Sequence, residues 1–97
     1  MFRHVVMFTW SPEATDEQKA AVPERLAALP DAIPEIKEYH FGPDAGLAEG
    51  NYDFVVVADF ADRDSFITYR DHPLHQAAVK EAIAPIRAGR AAVQYEL

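Results

Sequence analysis

Apolar residues along this chain alternate between the two-residue period of a strand and the longer period of a helix. Phe2 to Trp10 reads as a strand, because Val5, Val6, Phe8, Thr9 and Trp10 are β-branched or aromatic. Phe2, Val6, Phe8 and Trp10 share one parity, while Val5 and Met7 occupy the other. A strand apolar on both parities is covered on both faces. Ser11 and Pro12 end it. Thr15 then reads as a helix N-cap, with Gln18 completing a capping box and Asp16 and Glu17 favouring the positive end of the helix dipole. Val22, Leu26 and Leu29 recur at helical spacing, so the helix is expected to run to about Leu29 and stop before Pro30. Pro23 is expected to kink it or restart it. Asp31 to Pro34 reads as a turn.

A weaker strand follows from Ile36 to Gly42, with Ile36, Tyr39 and Phe41 as its apolar members. Gly42 to Asn51 is a loop rich in Gly, Pro and Asp. Tyr52 to Phe60 is the clearest strand, through the consecutive Val55, Val56 and Val57. Asp62 caps a helix through about Tyr69, and Pro73 opens another through about Ile86, with Gly89 as its C-terminal stop. Ala91 to Leu97 is the last strand, with Val93, Tyr95 and Leu97 on one face. The order β-α-β-β-α-β predicts an α+β, ferredoxin-like fold: a four-stranded antiparallel sheet with both helices on one face. That leaves Val5, Met7, Val55 and Val57 uncovered on the other face. The simplest cover is the same face of a second chain, which predicts a homodimer.

Composition narrows the function. A chain of 97 residues, with 49% hydrophobic and 26% charged residues, supports one globular domain over residues 1–97. The absence of cysteine excludes disulfides, thiolate metal sites and a cysteine nucleophile. Acids outnumber bases 16 to 9, for a net charge of −7, so neither nucleic acid nor an anionic membrane surface is an expected partner. No apolar run has the length of a membrane span, and Met1 to Trp10 lacks the continuous apolar core of a signal peptide. A cytoplasmic location is the default expectation.

The residues able to carry chemistry centre on Tyr69-Arg70-Asp71-His72-Pro73-Leu74-His75, where two helices join at a proline. Tyr69 and His75 can donate and accept protons, and histidine titrates near neutrality. His4 lies on the same strand parity as Phe2, Val6 and Phe8, where a hydrogen-bonded core histidine is the simpler reading. His72 and His75 are three apart, but Pro73 between them puts His72 outside the helix, and no metal motif sharpens the case. Ser11 and Ser65 sit in no nucleophile elbow, and Gly42, Gly46 and Gly50 form no phosphate loop. Tyr39, Tyr52 and Tyr95 read as core or interface aromatics.

Arg3-His4-Val5-Val6, the Gly50-Asn51-Tyr52-Asp53 entry to the third strand, and the run Tyr69 to His75 with its His72-Pro73-Leu74-His75 core resemble the stress-responsive A/B barrel family, a branch of the dimeric α+β barrel proteins. The resemblance spans essentially the whole chain. It implies a homodimer with the two sheets face to face and a pocket between each sheet and its helices. The family includes a plant polyketide cyclase that uses the tyrosine and second histidine of this run in an aldol cyclisation. By motif those roles fall on Tyr69 and His75, with His4 orienting the substrate. Such chemistry needs no cofactor and no metal. Phe2, Phe8, Trp10, Phe66 and Ile83, with His72 beside them, would bind a small hydrophobic or aromatic carbonyl ligand. Two other functions fit a chain of this kind: a non-catalytic dimeric stress-response or ligand-binding protein, and a monooxygenase of the wider barrel group.

Overall fold

The computed structural model describes all residues, Met1–Leu97. Its elements run β1 (Phe2–Trp10), α1 (Asp16–Ala27), α2 (Leu29–Ala32), β2 (Ile36–Pro43), β3 (Phe54–Phe60), α3 (Arg63–Asp71), α4 (Pro73–Ala78), a π-helical turn (Val79–Ile83) and β4 (Arg87–Glu96). The sheet order is β2-β3-β1-β4, with every neighbouring pair antiparallel. This is the expected ferredoxin-like arrangement, with each helical crossover built in two pieces.

The alternation in β1 and β3 sorts the side chains. Phe2, Val6 and Phe8 of β1, with Phe54, Val56, Ala58 and Phe60 of β3, are buried beneath the helices. Val22 and Leu26 of α1, Leu29 of α2, and Ile33 complete that core from above. The opposite face carries Val5 between Val57 and Val93, and Met7 between Val55 and Ala91. No helix covers it, and Met7 and Val93 remain 37% and 63% exposed. Arg3 and Asp59, cross-strand neighbours at one end of this face, form a bidentate pair at 2.7 and 2.8 Å.

Thr15 and Gln18 form the expected capping box. Several boundaries differ from the sequence expectations. α1 passes through Pro23 as one helix. The stretch expected as a turn after Pro30 instead contains α2, because a proline in the first helical turn lacks only an amide that has no partner there. β3 starts at Phe54 rather than Tyr52. The preceding Asp53 closes the loop instead: its carboxylate accepts from the Trp10 amide at 2.7 Å and its carbonyl from the Asp44 amide at 2.9 Å. Gly46 and Gly50 in that loop have φ of +77° and +81°, a region other residues rarely enter.

The last helical segment ends at Ile83, and β4 begins at Arg87, four residues before the expected Ala91. Gly89 is therefore a strand residue rather than a helix stop. It lies opposite Thr9, where the register shifts and Trp10 pairs with Arg87, leaving Ala88 as the extra residue of a bulge. A Cβ at Gly89 would come within 2.7 Å of Thr9 Oγ1. Gly89→Ala is expected to lower stability by about 1–3 kcal/mol through overpacking. Adding Thr9→Ala should recover most of that loss in a denaturant titration, because it removes the atom that is struck.

Candidate active site

Between the sheet and its helices lies a cavity of about 270 Å³. Its floor is His4, Val6 and Phe8 of β1, Tyr39 of β2, Val56 of β3, and Arg87, Arg90 and Gln94 of β4. The helical side supplies Leu26, Phe66, Tyr69, Arg70, His75, Gln76, Val79 and Ile83.

The junction between α3 and α4 arms it. Asp62 caps α3, its carboxylate accepting from the Ser65 amide at 2.8 Å. In a continuous helix the Arg70 carbonyl would accept from the amide four residues on, that of Leu74. Pro73 breaks the helix, and the Leu74 amide donates instead to His72 Nδ1 at 3.1 Å. The Arg70 carbonyl, left without a helical donor, receives His75 Nδ1–H at 3.0 Å and the Gln76 side-chain amide at 2.6 Å. A carbonyl can only accept, so Nδ1 carries the proton and Nε2 of neutral His75 is a free base. Burial is the main force holding the His75 pKa below its ordinary value, against the opposing pull of that carbonyl.

Tyr69 stands over His75 with ring centroids 4.1 Å apart and is only 2% exposed. Its hydroxyl meets the Tyr39 hydroxyl at 2.8 Å. Burial raises both phenols, Tyr39 to about 12 and Tyr69 further, so both remain protonated donors across the physiological range. When Tyr39 donates to Tyr69, the Tyr69 O–H is free to donate to a ligand, strengthened by the bond behind it. His4 packs on Phe66 at 4.9 Å and lies 6.4 Å from Tyr69. Gln94, directly across from it on β4, donates to His4 Nδ1 at 2.8 Å, which places the proton of the neutral ring on Nε2. Burial first, then the charge of Arg90 and that of His75 when it is protonated, push His4 down to about 4.

Of the residues singled out by sequence, His4, Tyr69, His75, Phe8, Phe66 and Ile83 line this cavity, and Phe2, Trp10 and His72 do not. Phe2 packs behind Phe66 at 5.7 Å. Trp10 stacks on Phe8 at 5.7 Å and lines a separate groove with Ser11 and Pro43. His72 is spent as the N-cap of α4. No group of three or more His, Asp or Glu side chains is arranged to hold an ion. Sequence reasoning missed Tyr39, Gln94, Arg87 and Arg90. Tyr39 shares its parity with Phe41, which was a usable signal. The other three needed the register of β4.

A family profile described as the stress responsive A/B barrel domain matches residues 2–97. The chain belongs to this family. Its fold is shared by a dimeric ferredoxin-like protein of unknown function from Thermobifida fusca, 51% identical, over 99% of this chain and 90% of that one, with a TM-score of 0.92. A dimeric ferredoxin-like protein of unknown function from Bacteroides fragilis is 29% identical over 99% of this chain and 95% of that one, at TM-score 0.84. The hydroxynitrile lyase of Passiflora edulis shares the fold at 19% identity and TM-score 0.86, over 99% of this chain and 92% of that one. Among curated protein sequences none matches. No helix of this A/B barrel domain is long and apolar enough to cross a membrane.

The depressed pKa of His4 makes stability depend on pH. The unfolded chain holds a proton on this residue up to about pH 6.5, whereas the folded protein releases it down to about 4. Stability is therefore complete above about pH 6.5 and falls as pH drops toward 4, by at most about 3 kcal/mol from this residue. Urea titrations across that window should show a shallower pH slope for His4→Leu than for wild type.

Proposed function

We propose that this protein is a cofactor-independent enzyme that enolises a small aromatic or other hydrophobic carbonyl compound, in the manner of a polyketide cyclase or isomerase. The observation that carries this reading is the neutral His75, its Nδ1 proton engaged by the Arg70 carbonyl and its Nε2 free, in contact with a protonated Tyr69 in an apolar cavity. His75 Nε2 takes the proton α to the substrate carbonyl. The C–H electron pair becomes the enolate π bond, and the charge that develops on oxygen accepts a hydrogen bond from Tyr69. In a substrate with a second carbonyl, the enolate carbon attacks that carbon. The resulting alkoxide takes the proton back from His75, which restores the base. Tyr39 acts through Tyr69 as a positioning residue. His4 Nε2–H is a further donor to substrate oxygen. The fold carries a lyase in Passiflora edulis, so one protein of this shape is an enzyme.

The working unit in this reading is a homodimer closed over the uncovered sheet face, as the dimeric relatives suggest. Val57→Lys puts a charge at the centre of that face and should convert the dimer to a monomer in light-scattering measurements. An unchanged dimer would refute this assignment of the interface.

Enolisation is read by exchange of α-protons for deuterium in NMR spectra of benzoylacetone and phenylpyruvate. Wild type should accelerate it. His75→Ala and Tyr69→Phe should each lose roughly 100-fold or more, and Tyr39→Phe roughly 10-fold. The rate should rise with pH through a midpoint below the ordinary histidine value, as His75 loses its proton, and then stay level beyond pH 8 because the phenols titrate far higher. No acceleration on either compound, or equal rates in the His75→Ala variant, would leave a ligand-binding protein as the reading.

A further inference from the structure

The chain has six arginines and a net charge of −7. Four of them sit on carboxylates: Arg3 on Asp59, Arg25 on Glu81, Arg63 on Glu96 and Arg70 on Asp71. Arg87 and Arg90 form no ion pair, although acids outnumber bases 16 to 9. Both line the cavity.

Their placement has a structural cause. Gln94, Ala92 and Arg90 lie opposite His4, Val6 and Phe8, so all three belong to the cavity face of β4. Simple alternation would send Arg87, an odd-numbered residue, to the outer face with Val93 and Tyr95. The bulge at Thr9 and Trp10 skips Ala88, pairs Arg87 with Trp10 and moves it onto the same face as Arg90. One irregularity in the sheet thus gathers two unpaired cations at one exposed edge of a cavity whose lining holds no carboxylate.

We propose that the ligand of this cavity carries a carboxylate, received by Arg87 and Arg90 at the mouth while its carbonyl lies against Tyr69 and His75. This rests on the enolising role given to that pair above. Guanidinium groups bind carboxylates through paired N–H donors, and an anion here meets no competing acidic side chain. Size selects the remainder. A cavity of roughly 150 Å³ accommodates benzene, so 270 Å³ holds a single ring with a short side chain. The ligand class is a monocyclic aromatic or similarly compact oxo-acid, whose anionic end reaches the mouth as its ring fills the apolar floor.

The test is calorimetric titration with phenylacetate, its neutral amide phenylacetamide, and phenylacetyl-coenzyme A. Phenylacetate should bind about 10- to 100-fold more tightly than the amide. The double variant Arg87→Gln/Arg90→Gln should erase that preference while its circular dichroism and dimer mass match wild type. Amide binding equal to phenylacetate would overturn the carboxylate inference and leave the cavity reading standing. Binding confined to the coenzyme A thioester, and lost in the double variant, would assign the arginines to carrier phosphates and also overturn it. Failure of all three compounds to bind would overturn the carboxylate inference without deciding the enolising reading. The two are separated by α-proton exchange on benzoylacetone, which has no carboxylate and tests the reading alone.

Discussion

The helix break at Pro73 is the constraint on which the rest of the site depends. A proline has no amide hydrogen and cannot continue α3. The break gives the Leu74 amide to His72, leaves the Arg70 carbonyl unclaimed, and brings His75 back to take it. One backbone carbonyl thereby decides the tautomer, the orientation and the basicity of the catalytic candidate. It also decides which histidine of the pair is available, because His72 is consumed as a cap. The Gln76 amide on the same carbonyl supports the arrangement from a second direction.

Burial then sets the protonation states. The apolar part of the cavity floor is Val6, Phe8 and Val56, and a low-dielectric wall of this kind disfavours any charge that lacks a partner. His4 and His75 are held neutral and the two tyrosines are held protonated by the same desolvation. Neutral bases beside undissociated phenols are what proton abstraction and oxyanion stabilisation require. On the outer face the logic is reversed. Asp59, 4% exposed, keeps its charge because Arg3 grips it with two nitrogens, and this holds its carboxyl below the usual range.

The fold was largely legible because β1 and β3 are apolar on both parities and the caps of α1 and α3 are local signals. Local chemistry misled where tertiary context could satisfy the same residue in another way. Pro30 opened a short helix instead of closing a long one. Gly89, read as a helix stop, serves as the small residue where β4 crosses Thr9. Of the site, the Tyr69–His75 pair and His4 were legible through the motif run and strand parity. Trp10 and Phe2 share that parity too, yet they lie at the ends of the strand, beyond the cavity, and parity carries no information on position along the axis.

By itself, then, the sequence determined the order of elements, the two-faced sheet, and the presence of a histidine and a tyrosine flanking a proline break. These follow from side-chain periodicity and from the missing amide of Pro73, both properties of neighbouring residues. Tertiary structure alone decided that Tyr39 stands behind Tyr69, that Gln94 sets the tautomer of His4, and that Arg87 joins Arg90 on the cavity face. Each of these depends on strand register across tens of residues. A single bulge at Trp10 shifts that register and so changes the face on which a charge appears.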